Sequence, residues 1–204
     1  MGPLFFRFCA LLSLLTPAGC GDPSAPSPAA LAPRLLPAEN QPARIILEAE
    51  TGAVEPAMIV EDFQPVNHPQ LGLQTASGGK CVAVPRDANK ADKKHPKGQV
   101  TLQFTVPKDG TYYIFPRVWW TGGCGNSFGM ALDGGPALTV TDGDYDRWHW
   151  IKLLSDDPSA TTPRPFTLKK GQHALVFTNR EDASRLDQVY ITDDPKDAPT
   201  GIMQ

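Results

Sequence analysis

Two glutamates early in the chain are spaced so that they can act together. Glu48 and Glu50 are two residues apart, and residues at that spacing share one face of a β-strand. Two like charges on one face need a bound cation or full hydration, and carboxylate oxygens are the ligands that Ca²⁺ prefers. Two carboxylates across a cleft can also hydrolyse a glycosidic bond. The pair predicts a metal site, with a solvated acidic edge and a catalytic pair as the alternatives.

A second acidic segment, residues 142–146 (DGDYD), resembles the start of an EF-hand calcium loop. However, Arg147 follows where that loop needs glycine, and Leu153 stands where it needs a bidentate glutamate. The segment is therefore predicted to be a solvated acidic turn.

All four tryptophans lie in two motifs, Trp119-Trp120 and Trp148-His149-Trp150. An aromatic ring can stack on the apolar face of a sugar, while polar side chains bind the hydroxyl groups. Neighbouring side chains on a strand point to opposite faces, so at most one of Trp119 and Trp120 packs inward. We expect two of the four in the core. Trp119 and Trp148 flank Gly-rich or Asp-rich turns and are the predicted sugar platform, with Trp150 as a further sugar-binding candidate.

The cysteines divide into two pairs. Cys9 and Cys20 lie in the N-terminal leader, which leaves Cys81 and Cys124 in the folded part. Two thiols in an exported protein are predicted to form one disulfide, which would hold the glycine-rich loop 121–126 in place. A metal-binding pair is the alternative, although no CxxC spacing supports it.

The N-terminus is predicted to be an address followed by a tether. The apolar run after Arg7, residues 8–15, is too short to span a bilayer, and residues 1–20 are typical of a signal peptide. Small residues before Cys20 resemble a lipobox, in which this cysteine is lipidated. An ordinary cleaved signal peptide is the alternative. Residues 21–43 are rich in proline and alanine and are predicted to be a spacer.

Composition excludes several classes of protein. The 204 residues carry 19 Lys and Arg against 22 Asp and Glu, and this slightly acidic balance argues against broad binding to nucleic acid. No phosphate-binding glycine loop, GxSxG or HExxH motif is present. The four histidines have no ligand spacing among them; they are His68, His95, His149 and His173.

The elements that must position these residues are predicted to be β-strands. From residue 44 onward, short apolar runs alternate with turn residues, and 18 Gly and 21 Pro disfavour long helices. Residues 100–106 and 112–119 alternate apolar and polar side chains around the turn 107–110, which predicts an antiparallel hairpin. Further strands are predicted at residues 45–47, 128–132, 137–141, 148–153, 165–168, 173–178 and 186–192.

Several short motifs occur in an order that resembles the β-jelly-roll carbohydrate-binding modules of families 6 and 35. They are Glu48-Ala49-Glu50, residues 76–80 (ASGGK), residues 110–113 (GTYY) leading to Arg117, Asn126, residues 132–134 (LDG) and Leu186-Asp187. The resemblance implies an all-β, two-sheet antiparallel jelly-roll sandwich. It covers a domain at residues 44–194, which leaves residues 195–204 as a C-terminal tail.

The resemblance also implies a structural calcium. In such modules the EAE-type strand and the late Leu-Asp pair come together around the ion. Here that implies Glu48, Glu50 and Asp187 as carboxylate ligands, with backbone carbonyls near Gly79 and Lys80.

The implied sugar site lies at the loop end of the sandwich. Asn126 is expected to supply an amide there. An asparagine before the Leu-Asp pair often contacts sugar in these families, but Arg185 occupies that position. This arginine could pair with a uronate carboxylate or with Glu181 or Asp182. The basic loop 86–97 leaves the same choice between an acidic polysaccharide and simple solubility.

These observations predict a non-catalytic, polysaccharide-binding domain. It is expected to be exported, monomeric and lipid-anchored at the cell envelope, in the outer membrane or periplasm. The alternatives are a structural or interaction domain that has lost sugar binding and a small polysaccharide-active enzyme.

Overall fold

The structure, a computed structural model, describes residues 41–63, 75–90, 97–155 and 159–204. The predicted signal peptide, Cys20, most of the predicted spacer, His68 and His95 lie outside the described residues. Within them the chain forms twelve β-strands and two single turns of 3-10 helix. The strands are β1 (Arg44–Glu48), β2 (Ala53–Glu55), β3 (Ile59–Asp62), β4 (Lys80–Ala83), β5 (Gln99–Val106), β6 (Gly110–Trp119), β7 (Ser127–Leu132), β8 (Leu138–Thr141), β9 (Trp148–Trp150), β10 (Phe166–Leu168), β11 (Gly171–Asn179) and β12 (Arg185–Thr192).

The strands form two antiparallel sheets, which confirms the predicted all-β, two-sheet antiparallel jelly-roll sandwich. The larger sheet has seven strands in the order β10-β6-β12-β4-β3, with β1 beside β12 and β9 beside β6. The smaller sheet has five strands in the order β2-β5-β11-β7-β8. The main core lies between the sheets. It includes Val82, Ile114, Val118 and Leu186 of the larger sheet and Val100, Leu102 and Phe177 of the smaller one.

The turn at residues 107–110 does not close the predicted hairpin. β5 pairs with β2 and β11 in the smaller sheet, whereas β6 pairs with β9, β10 and β12 in the larger one. Val106 and Tyr112 are both fully buried in the main core. The turn therefore carries the chain across that core from one sheet to the other. An alternating pattern tells which face a strand buries, but it does not tell which strand is its neighbour.

The predicted placement of Glu48 and Glu50 on one strand face is also wrong. β1 ends at Glu48, and Glu50 lies in a 3-10 turn over Ala49–Thr51. The following glycine lets this turn pack closely on β5. A Cβ atom at Gly52 would lie 2.6 Å from a methyl carbon of Leu102.

A second group of apolar side chains covers part of the larger sheet on the face that points away from the smaller sheet. This outer cluster consists of Phe63, Ala76, Cys81, Trp119 and Trp148. The Phe63 ring lies 5.2 Å from that of Trp119 and 5.0 Å from that of Trp148. Because both faces of the larger sheet are covered here, consecutive side chains of β6 can both be buried.

The C-terminal residues pack on the larger sheet. The backbone N–H of Met203 donates to Oε1 of Gln188 at 3.0 Å, and the indole N–H of Trp150 donates to the carbonyl of Gly201 at 3.0 Å. Among the described residues there is no helix with the length and apolar character needed to cross a membrane.

Candidate functional site

Five residues from five neighbouring strands form a row across the outer face of the larger sheet. Ile59 of β3 is paired with Ala83 of β4, and Ala83 is paired with Arg185 of β12. Arg185 is paired with Trp119 of β6, which is paired with Trp148 of β9. Paired residues in antiparallel strands point to the same face, so their side chains are direct neighbours. The register alone thus places Arg185 between an alanine and a tryptophan.

A pocket of about 450 Å³ lies on this row, at the end of the strands. We call it the row pocket. Strand residues Ile59, Glu61, Ala83, Trp119 and Arg185 line it, together with loop residues Val84, Pro85, Arg86, Thr121, Asp146 and Ala183. Its volume falls in the range of small-molecule sites. Its lining combines apolar groups, a hydroxyl and four charged side chains.

Two of the four charges neutralise each other. Nε of Arg185 donates to Oε2 of Glu61 at 2.5 Å, and Nη2 donates to Oε1 at 3.2 Å. The same guanidinium lies 5.4 Å from the ring centroid of Phe63. Arg185 is therefore held by a bidentate ion pair. Its partner is Glu61, not Glu181 or Asp182 as the sequence suggested.

The other two charges have no such partner. Within the described residues, neither the Arg86 guanidinium nor the Asp146 carboxylate makes an ion pair or a side-chain hydrogen bond. Both line the pocket from separate loops. A carboxylate accepts and a guanidinium donates, so together they can bind the hydroxyl groups of one ligand.

Backbone strain is concentrated around the same pocket. Four residues other than glycine have a positive φ in the described part of the chain. Asp146 (φ 58°) and Ala183 (φ 61°) line the pocket, and Asp87 (φ 67°) adjoins Arg86; the fourth is Asp133 in a turn. An alanine gains nothing locally from this conformation, and such strain clusters at functional sites.

The structure contradicts the predicted tryptophan platform. Trp119 has 0% and Trp148 8% of its surface exposed, because both rings pack in the outer cluster. Trp120 is also fully buried, 5.5 Å from the ring of Phe128 in the main core. Three tryptophans are therefore buried, not two. Trp150 keeps some exposed surface and lines a separate groove of about 700 Å³ at the edge of the sandwich.

The predicted disulfide is contradicted as well, because both cysteines are free. Cys81 is buried in the outer cluster, and burial raises the pKa of its thiol well above the usual value. Cys124 is exposed in the loop 121–126. Hydrogen bonds hold that loop instead: the backbone N–H of Asn126 donates to Oε2 of Glu181 at 3.0 Å. The Asn126 amide, predicted to bind sugar, donates to the carbonyl of Asp142 at 2.8 Å and does not line the row pocket.

Asp142 is the centre of a network beside the row pocket. Its carboxylate accepts hydrogen bonds from the indole N–H of Trp120 (3.0 Å), the backbone N–H of Asp144 (3.1 Å) and Nε2 of His149 (3.1 Å). Burial alone would raise the pKa of Asp142, but the hydrogen bond from His149 and the others lower it below its usual value. The sequence gave no signal for this network, because a histidine seven residues from an aspartate fits no ligand motif.

The residues expected to hold calcium lie close together. Ser77 Oγ and Gln188 Nε2 donate to Oε1 of Glu48 at 2.9 and 2.7 Å. Oε2 of Glu48 and Oε2 of Glu50 are buried and have no hydrogen-bond partner among the described residues. Burial, with the nearby charge of Glu48, raises the pKa of Glu50. Two buried carboxylate oxygens without partners fit a bound cation.

Asp187, the third expected ligand, is otherwise engaged. It accepts hydrogen bonds from Arg117 and from the backbone N–H of Ser77. Burial raises its pKa to about 6, although Arg117 opposes the shift. The described residues contain no group of three or more His, Cys, Asp and Glu side chains arranged to hold a metal ion. Any cation here would therefore depend on the two glutamates and on backbone oxygens.

The fold resembles solved structures that contain carbohydrate-binding modules. A GH26-CBM35 β-(1,4)-mannanase from Podospora anserina matches with a TM-score of 0.53 and 16% identity over 78% of this chain and 28% of that one. An exo-β-1,3-galactanase from Phanerochaete chrysosporium, crystallised with β-1,3-galactotriose, matches with 0.50 and 17% over 73% and 29%. A family 35 carbohydrate-binding module from Clostridium thermocellum matches with 0.50 and 15% over 72% and 97%.

This chain thus spans less than a third of each enzyme but nearly the whole of the isolated module. No protein-family model matches the sequence, and no curated protein matches it. The likeness therefore establishes the fold, a β-sandwich of the carbohydrate-binding-module type.

Proposed function

We propose that this chain is a non-catalytic carbohydrate-binding domain and that the row pocket is its sugar site. The observation that supports the proposal most directly is the composition of the pocket. Ala83, Pro85 and Ile59, which is 46% exposed, offer apolar surface to the C–H face of a sugar. Arg86 and Asp146 have free hydrogen-bonding capacity for its hydroxyl groups.

The charge balance of the pocket favours a neutral sugar over a uronate. Glu61 already occupies the fork of Arg185 that a carboxylate ligand would need. The remaining cation, Arg86, is matched by the anion Asp146 across the pocket lining. A uronate would gain one contact from Arg86 and lose free energy through repulsion by Asp146.

Binding should be measured by isothermal titration with β-1,3-galactotriose and with a β-1,4-linked mannotriose, because the solved structures act on or bind such glycans. Arg86→Gln and Asp146→Asn should each weaken binding, since a hydrogen bond to a charged group contributes about 1.5–3 kcal/mol. Lys170→Gln is the matched control, because Lys170 is exposed in the turn between β10 and β11, at the other end of the strands.

Three outcomes separate the possibilities. Binding that both pocket variants weaken and the control does not would support the site. Binding that neither variant changes would place the sugar elsewhere, with the groove beside Trp150 as the next candidate. A folded protein that binds no glycan would favour the interaction domain, and hydrolysis of the glycan would favour an enzyme.

We also propose that Ca²⁺ binds at Glu48 and Glu50, because each has a buried oxygen without a hydrogen-bond partner. The ion would neutralise the two buried charges and tie the end of β1 to the 3-10 turn. Export and a lipid anchor at Cys20 complete the proposal; the signal-like residues 1–20 and the proline-rich residues 21–43 support them.

A further inference from the structure

The rim of the row pocket is built from a loop that a single histidine holds at both ends. Asp146, the free carboxylate of the pocket, lies in the loop 142–147 between β8 and β9. Nε2 of His149 contacts both carboxylate oxygens of Asp142 at 3.1 Å, and Nδ1 contacts the carbonyl of Arg147 at 3.1 Å. His149 thus contacts the first and the last residue of this loop.

Both partners of the ring are hydrogen-bond acceptors, so both ring nitrogens must donate. Only the imidazolium form has two N–H groups; a neutral imidazole has one N–H and must give up one of the two contacts. The side chain of His149 is mostly buried. The charged groups that face it are the carboxylates of Asp142 and Asp144, and the ring of Trp120 lies 6.3 Å away on another side. The guanidinium of Arg147 is bound to Asp144 and does not compete for the ring.

The Asp142 contact extends the effect to the rest of the rim. Asp142 also accepts from Trp120 Nε1 and from the backbone N–H of Asp144, and its carbonyl accepts from Asn126. The backbone N–H of Asp146 donates to the carbonyl of Trp120 at 2.9 Å. Asp146 keeps its left-handed φ of 58° only while its neighbours are held.

We propose that His149 is a positioning residue for the row pocket: in its imidazolium form it clamps the loop 142–147 and so fixes Asp146 for the ligand. This inference rests on the proposed function, since it concerns the same pocket. It makes glycan affinity depend on pH through a group that does not touch the glycan. Burial disfavours the charged ring, but the bonds to Asp142 and Arg147 raise the pKa of His149 above its usual value near 6.5. Affinity should therefore be constant in mildly acidic solution and fall as the pH rises through that raised value.

The structure offers a matched control. His173 has the same arrangement, with Nδ1 2.7 Å from Asp133 and Nε2 2.7 Å from the carbonyl of Lys169. It lies near the start of β11, whereas the end of β11 leads to the loop that lines the row pocket. Its titration should alter the opposite end of the sandwich and leave the pocket unchanged.

The test is a titration from pH 5.5 to 9 followed in two ways. Nuclear magnetic resonance reports the indole N–H of Trp120 and the amide N–H of Asp144, and calorimetry reports affinity for β-1,3-galactotriose. In the unmodified protein both resonances should shift with the titration of His149, and affinity should fall by about tenfold, the scale of one hydrogen bond to a charged group.

Two variants of the same residue distinguish positioning from packing. His149→Gln keeps an N–H donor for Asp142 at every pH, so binding should persist and lose its pH dependence. His149→Phe keeps the ring volume without a donor, so binding should be weak at every pH. His173→Gln should leave the affinity and its pH profile unchanged.

Resonances of Trp120 and Asp144 that stay fixed while His149 titrates would overturn the inference, as would a glycan affinity that is equal at pH 6 and pH 9. A protein that binds neither galactotriose nor mannotriose at any pH would refute the proposed function instead. In that case the two resonances still decide whether His149 clamps the loop.

Discussion

The ion pair between Arg185 and Glu61 decides how the row pocket can bind a ligand. In isolation each residue looks like a ligand contact, and the sequence singled out Arg185 for that reason. Because the two side chains satisfy each other, they form the wall of the pocket, and the free charges belong to Arg86 and Asp146. Neither of those residues stood out in the sequence as a single position, since a charged residue in a loop is usually only a soluble one.

At the same scale, the buried tryptophans make a prediction opposite to that of a sugar platform. Trp119→Ala removes a fully buried ring from the outer cluster, so it should lower the free energy of unfolding by about 3–5 kcal/mol. Urea denaturation followed by circular dichroism measures the change. Tyr145→Ala is the control, since this ring is 39% exposed and surface changes usually stay within about 0.5 kcal/mol. Equal effects of the two variants would contradict the burial of Trp119.

At the scale of elements, a pair of amides joins the loop after β4 to the end of β11. Nδ2 of Asn179 donates to Oδ1 of Asn89 at 2.7 Å, and Nδ2 of Asn89 donates to Oδ1 of Asn179 at 3.1 Å. Asn179 also donates to the carbonyl of Lys97, and the backbone N–H of Asn89 donates to Asp182. This buried pair fixes the segment that carries the basic side chain of the pocket rim.

Asn179→Ala should therefore affect both stability and binding. It leaves the amide of Asn89 buried without its partner, which costs about 1–3 kcal/mol. A thermal melt measures this loss, and glycan affinity should fall in parallel because Arg86 belongs to the loosened loop. Gln99→Ala removes an exposed amide that bonds to Glu55, and it should change neither quantity appreciably. Unaltered glycan affinity in a destabilised Asn179→Ala would show that this loop does not contribute to the site.

At the scale of the whole molecule, the sequence predicted the class of fold better than the arrangement of strands. Side-chain alternation identified β5 and β6 because one face of each is apolar, and it placed Ile114 and Val118 in the main core correctly. It could not show that the turn at residues 107–110 crosses between sheets, because strand pairing depends on residues distant in sequence. It also missed the short strands β2, β3 and β4.

The errors at the site have the same origin. Trp119 and Trp120 were expected on opposite faces, which is correct, but the sequence did not indicate that Phe63 and Trp148 cover the outer face. The partner of Arg185 was missed because Glu61 lies on the unrecognised strand β3, 124 residues away in the chain. A pocket that depends on register across four strands cannot be read from spacing along one.

The last prediction concerns the stability of the whole domain in the presence of Ca²⁺. Glu48 and Glu50 each bury a carboxylate oxygen without a hydrogen-bond partner, which costs free energy unless a cation compensates it. A ligand that binds only the folded state stabilises it by about 2.7 kcal/mol at one hundred times its dissociation constant. The melting temperature should therefore rise on addition of Ca²⁺ and fall again with a chelator.

Glu50→Gln gives this prediction its sharpest form, because it should change stability in opposite directions under the two conditions. The neutral amide removes a buried charge whose pKa is raised by burial, so the variant should melt at or above the parent in chelator. It also removes a calcium ligand, so it should melt below the parent in Ca²⁺. Glu55→Gln, an exposed change on β2, should behave like the parent in both conditions. A parent protein whose melting temperature is the same with Ca²⁺ and with chelator would refute the site, since two buried carboxylates would then be tolerated without any cation.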